Sequence, residues 1–204
     1  MSIPFNHSET SLALLRRYTA SHAVFNSLSA LQLCLLSNDA AAGLDLLRHH
    51  SGYLRALTAT ARCAVCADVA DEHRLLAHFA WLENRRNAGQ SVLHYDGRPG
   101  TGRVASFILL PFLEFQELRN PKGGEIKAQL LARNGEATLV LQVHFSLPAR
   151  NPVWNEEQTQ RRAIWLERLQ HLNDDGICRI TWQETDKEAS ITLTQLNHES
   201  CNCR

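Results

Sequence analysis

Three residues, Ser37-Asn38-Asp39, restrict this chain more than any other stretch of it. On both sides the apolar residues recur at helical spacing. Upstream, Asn6 and Glu9 have the spacing of a capping box, with Ser8 as an alternative cap. From there Ala13, Ala20, Val24, Leu28, Leu31 and Leu35 make one stripe, which predicts a helix to about Leu36. Downstream, Leu44, Leu47, Leu54 and Leu57 predict a second helix to about Ala61. So short a break, rich in capping residues, forces an antiparallel hairpin. One hairpin cannot bury both apolar faces by itself, whereas two hairpins paired as a four-helix bundle can, so a homodimer is expected.

At 100° per residue, His22 lies roughly 160° from the centre of the first stripe and is expected to face solvent. Phe25 and Ser29 lie within about 60° of it. Leu15 and Leu33 share that side, which is therefore a docking surface or a second packing seam.

From Asp68 the pattern changes. A helix is expected from about Asp68 to Asn87, then a strand at Ser91 to Tyr95 and a turn at Gly97-Arg98-Pro99-Gly100. Arg103 to Arg119 reads as mostly helical, kinked near Pro111. Asn134-Gly135 between Glu125–Ala132 and Ala137–Phe145 is a hairpin signal. A helix over Glu156 to Leu172 and a hairpin of Cys178–Trp182 with Ala189–Leu196 complete the pattern. The fold class expected is α+β: a helical hairpin over 8–64, a two-layer α/β sandwich over 65–197, and a tail over 198–204.

Twenty-one basic residues balance twenty-one acidic ones, so no field draws in nucleic acid or an anionic membrane. No apolar run is long enough to span a bilayer, and Met1 to Asn6 lacks the features of a signal peptide, so membrane insertion is not expected and the chain reads as cytoplasmic. Cys63 and Cys66 form a C-x-x-C, and Cys201 and Cys203 lie near His198. No second C-x-x-C at zinc-finger spacing accompanies them, so no metal is expected. Cys34, Cys63, Cys66 and Cys178 have apolar neighbours and read as reduced, packed thiols. His49-His50 reads as decoration of the second helix.

The segment Ser21-His22-Ala23-Val24-Phe25-Asn26 resembles the histidine box of LytS-type sensor histidine kinases. Further segments fall in the order of that family. Ser51 to Arg55 resembles the close of its second helix. Asp71-Glu72, Phe79 to Glu83 and Arg86 resemble the acidic helix that opens its ATPase domain. Leu109 to Glu114 falls where the family has its proline-leucine-valine-glutamate-asparagine box, and Trp165 to Leu169 resembles its late helix. The resemblance spans about Leu12 to Leu196. It implies a histidine-kinase-like ATPase domain behind a dimeric histidine hairpin.

Three departures bear on function. With Glu114 aligned to the family glutamate, Phe115 stands where the family's magnesium-binding asparagine is, and a phenyl ring offers no oxygen ligand. Phe145-Ser146-Leu147-Pro148 lacks the Asp-x-Gly turn for adenine. Thr159 to Ala163 lacks the glycines of a phosphate-binding loop. Neither ATP binding nor autokinase activity is therefore expected, and no cofactor. The resemblance implies a histidine phosphotransferase in which His22 is the phosphoacceptor and Phe25, Asn26 and Ser29 meet a response-regulator receiver domain. The alternative is a non-catalytic pseudokinase that docks or sequesters a response regulator or a sensor kinase. A third reading is an ATPase whose site has been rebuilt from other residues.

Overall fold

Asn38 reverses the chain with a left-handed backbone, φ 54°, a conformation that asparagine tolerates better than most side chains. In this computed structural model, which describes residues 28–60, 66–86, 92–98, 100–133 and 138–195, the reversal closes helix α1 (residues 28–36) in a Schellman motif. The Asp39 N–H donates to Cys34 O at 3.0 Å and the Asn38 N–H to Leu35 O at 3.2 Å. Asp39 then caps α2 (Ala40–Thr60), its Oδ1 accepting the Ala42 N–H at 2.9 Å. The two helices touch at Gly43, where an added Cβ would meet Leu31 and Cys34 at 3.6 Å.

The buried face of α2 is Leu46, Tyr53, Ala56, Leu57 and Thr60, and it packs on α3 (Val69–Arg86). Of the positions expected to carry this helix inward, Leu57 is buried, but Leu44 and Leu47 are exposed. Leucines occupy several faces of α2, and the one continuous with Tyr53 is the one the core takes.

A mixed five-stranded sheet runs in the order β2 (Val92–Gly97), β4 (Glu125–Arg133), β5 (Thr138–Phe145), β7 (Glu188–Gln195), β6 (Cys178–Glu184). β2 and β4 are parallel, and every other pair is antiparallel. β4 alternates cleanly, with Ile126, Ala128 and Leu130 inward between exposed neighbours, as a sheet covered on one face requires. β4 and β5 pair antiparallel with Arg133 opposite Thr138, so the two strands expected around Asn134-Gly135 are partners, in a register that leaves four residues between them rather than the two of a tight Asn-Gly turn; the connection itself lies outside the described residues.

Helices α3, α4 (Leu109–Arg119) and α5 (Glu156–Asp174) supply the second layer. α5 opens with a full capping box. Asn155 Oδ1 accepts from Gln158 N at 2.8 Å, and Gln158 Oε1 accepts from Asn155 N at 3.0 Å. The stretch expected to be one kinked helix from Arg103 is instead strand β3 (Arg103–Ala105), a turn and then α4. β3 pairs with β1 (Cys66–Asp68) in a small second sheet. Pro111 is the third residue of α4, where its missing N–H has no intrahelical partner to lose, so it begins a helix rather than bending one. Eight of the eleven residues of α4 are buried, and for that reason the segment shows no amphipathic period.

Candidate functional site

The site that the sequence points to has two parts: the histidine face of the hairpin and the place where a nucleotide would lie. His22, Phe25 and Asn26 lie outside the described residues, as does the Asn6–Glu9 cap. Ser29 is described and sits exposed on α1. Beside it the outward leucines of α1 and α2, Leu28, Leu33, Leu35, Leu36, Leu44 and Leu47, are 44–75% exposed.

The positions that the resemblance aligns with a nucleotide site lie on α4, the loop before α5 and α5 itself. Phe115 is 3% exposed and is held edge-on by Trp154 and Trp165, with ring centroids 5.7 and 5.6 Å away. Trp165 is anchored by its indole N–H, which donates to Ile108 O at 3.1 Å. Glu114 is largely buried and ion-paired to Arg161, in the second turn of α5. The next residue, Arg162, lies over the Trp154 ring at 5.2 Å and reaches Glu184 at 3.4 Å. Residues 159–163 are regular helix rather than a loop. Residues 145–150 are stapled at both ends: Ala149 N–H donates to Asp186 O at 2.6 Å and Arg150 N–H to Arg119 O at 2.9 Å, while the Arg119 guanidinium lies over the Phe145 ring.

What space remains is a cleft of about 150 Å³ between α3, α4 and α5, below the several hundred Å³ of an ordinary small-molecule pocket. Its charged lining is Glu83, Glu114, Glu117 and Glu157 against Arg86 and Arg161, four carboxyl groups to two guanidiniums. Burial pushes the Glu83 carboxyl up to about 7, helped by Glu117 and opposed by Arg86. Burial also raises Glu114, and Arg161 opposes the rise. Both guanidiniums are paired with carboxylates of this lining.

Two more ionisable side chains lie deeper. Glu72 is fully buried and its Oε1 accepts the Phe107 N–H at 2.8 Å. Arg168, equally buried, donates to Ser106 O at 3.0 Å. Together they clamp the β3–α4 turn, where Phe107 has φ 63°, a rare conformation for a residue with a side chain. Burial raises Glu72 to about 7, against the hydrogen bond from Phe107 and the charge of Arg168. This clamp is not among the features expected from the sequence, although a signal for it exists. Glu72 shares a helix face with Val69, Leu76 and Phe79, and Arg168 with Ile164, Trp165 and Leu172, so each is a charge set inside an apolar stripe.

Two expectations for the small residues change. Cys66 is buried and disulfide-bonded rather than a reduced thiol, and its partner lies outside the described residues; Cys34 and Cys178 are free. His49 does not merely decorate α2, since it stacks on Trp81. Among the described residues no three His, Cys, Asp or Glu side chains converge as metal ligands, and no helix is long and apolar enough to cross a membrane.

No protein-family model matches the chain, and no curated protein matches it. Solved structures do. A bacterial phosphotransferase solved at 1.7 Å superposes with a TM-score of 0.51 at 12% identity, over 95% of this chain and 98% of that one. The histidine kinase domain of the Erythrobacter litoralis EL346 blue-light activated histidine kinase gives 0.48 at 11% identity, over 95% of each chain. A histidine kinase from Burkholderia phymatum STM815 gives 0.42 at 14% identity, over 96% of this chain and 99% of that one. The likeness to the phosphotransferase extends over nearly the whole of both chains, and at this identity it is a likeness of fold.

Proposed function

We propose that the chain is a two-component phosphotransfer protein: a degenerate relative of the histidine kinases that relays phosphoryl groups between response-regulator receivers and does not bind ATP. The observation that carries this reading is the filling of the nucleotide positions. Phe115 is wedged between two tryptophans, Arg161 is committed to Glu114, and the residual cleft is small and acidic. The shared fold with a bacterial phosphotransferase supports it.

In this reading an imidazole nitrogen of His22 attacks the phosphorus of a receiver aspartyl phosphate. The P–N bond forms, the P–O bond breaks, and the aspartate leaves as a carboxylate; a second receiver aspartate then takes the phosphoryl group by the reverse chemistry. Such transfer asks mainly for alignment and charge stabilisation, and the receiver brings its own magnesium. Phe25, Asn26 and Ser29 lie on the face that the receiver covers. Two copies pair through exposed leucines of α1 and α2, Leu28 and Leu35 on the stripe opposite His22 together with Leu44 and Leu47.

The test is incubation with phosphorylated receiver domains and detection of acid-labile phosphohistidine. His22→Ala is expected to abolish transfer and to keep both the fold and receiver binding. A wild type that binds a receiver but never becomes phosphorylated identifies the non-catalytic docking protein instead. Calorimetry with magnesium and ATP is expected to show no saturable heat; a micromolar isotherm overturns the reading of the filled site.

A further inference from the structure

Three rings close the outer edge of the seam between α2 and α3. His49 of α2 stacks flat on Trp81 of α3, with centroids 3.8 Å apart and planes 5° apart. His78, one turn before Trp81, meets His49 edge-on, and the two Nδ1 atoms are 3.3 Å apart. The His78 ring occupies the space that a Cβ at Gly52 would need. The backbone of α2 is thus notched where the α3 histidine enters.

A hydrogen bond between two Nδ1 atoms needs a proton on one and a lone pair on the other. Two neutral rings satisfy this, and so do one neutral ring and one imidazolium. Two imidazoliums do not. Both nitrogens are then donors, the bond is lost, and like charges face each other at contact distance inside a partly desolvated seam.

We propose that the His49–His78 pair is a proton-operated latch between α2 and α3, closed while either Nδ1 keeps its lone pair and released when both rings are cationic.

The surroundings permit this. On α2, Asp45 and Arg48 act on His49 in opposite directions. On α3, Asp71 and Arg74 line the same cleft as His78 and Arg55 and pair with each other at 2.6 Å. His50 turns instead toward Leu28, Leu31, Leu46 and Leu47. In the described part of α1 the titratable side chain is Cys34. Burial lowers the pKa of both rings, and His49 lowers that of His78 further. Rings that resist protonation in the folded state make the closed seam fully stable above the ordinary imidazole range, and that stability is lost as pH falls below about 6.5.

Hydrogen exchange of the full chain at about pH 7.5 and about pH 5.5, corrected for intrinsic rates, brackets the ordinary imidazole pKa. In the wild type, amides of α2 and of the facing turns of α3 are expected to lose several-fold protection at the lower pH. His78→Gln and His49→Gln, which cannot gain the charge, are expected to abolish most of that loss. Should either variant fail to fold, ring-nitrogen NMR of the wild type decides alone: a coupled pair titrates in two separated steps, the second below the ordinary value. The proposal is overturned by an equal loss of protection in wild type and variants, by two rings titrating independently, or by ring signals that shift with zinc or a chelator in place of pH. None of these outcomes depends on phosphotransfer.

Discussion

Helix α4 and the α1–α2 pair are both rich in leucine, and they spend it differently. In α4, Leu109, Leu110 and Leu113 are fully buried with Phe112, enclosed by neighbouring helices and the sheet. On α1 and the outer side of α2, six leucines stand in solvent. One set is satisfied by its own chain; the other has nothing over it among the described residues. Apolar content alone therefore does not locate a core. It says only that a surface must be covered, and topology decides by what.

The hardest way to break the buried side of this contrast is Trp165→Ala. It removes the ring that holds Phe115 and the donor to Ile108 O, and a loss of about 3–5 kcal/mol is expected in denaturant unfolding. Adjacent residues on α2 sharpen the contrast. Leu46 is 2% exposed and Leu47 44%, so Leu46→Ala is expected to cost about 2–5 kcal/mol. Leu47→Ala should stay within about 0.5 kcal/mol for the isolated protomer. On the pairing proposed, Leu47→Glu, like Leu28→Glu, is instead expected to sediment as a monomer where the wild type sediments as a dimer; a monomeric wild type overturns the pairing, and dimeric variants would remove the leucine face from it.

A subtler effect comes from Glu72. Its folded pKa is raised to about 7, so the folded state holds a proton that the unfolded chain releases at the lower, ordinary carboxyl value. That contribution is fully present at acid pH and is lost as pH rises to about 7. Glu83 titrates in the same window, so the informative quantity is the difference in stability between wild type and Glu72→Gln. The variant is expected to gain on the wild type as pH rises through that range, and a pH-independent difference would show that Glu72 is charged when folded. A modest effect is expected for Asn155→Ala, about 1 kcal/mol from loss of the α5 capping box, with ATP still failing to bind.

Local chemistry was readable where it is self-contained. Ser37-Asn38-Asp39, the Asn134-Gly135 hairpin and the order of the later strands each carry their own signal. The Arg103–Arg119 stretch was misread because β3 is only three residues long and because α4, buried nearly all round, offers no period. α2 was misread on one face because leucines point several ways. The Glu114–Arg161 pair and the Glu72–Phe107 bond join residues 47 and 35 positions apart, and only the folded sheet and helices bring such partners together. The aromatic cluster on α4 was half visible: Phe115 was singled out, but not the two tryptophans that pin it.

The reversal at Asn38 has a mechanical meaning. Both sides of it are hydrogen-bonded to their own helices, and no spare residue lies between the last turn of α1 and the cap of α2. An axial slip of α2 by one residue, about 1.5 Å, has no slack to absorb it and must be passed on. The turn therefore works as a rigid coupling: whatever displaces α2 against α3 reaches α1 as a push or a pull along its length.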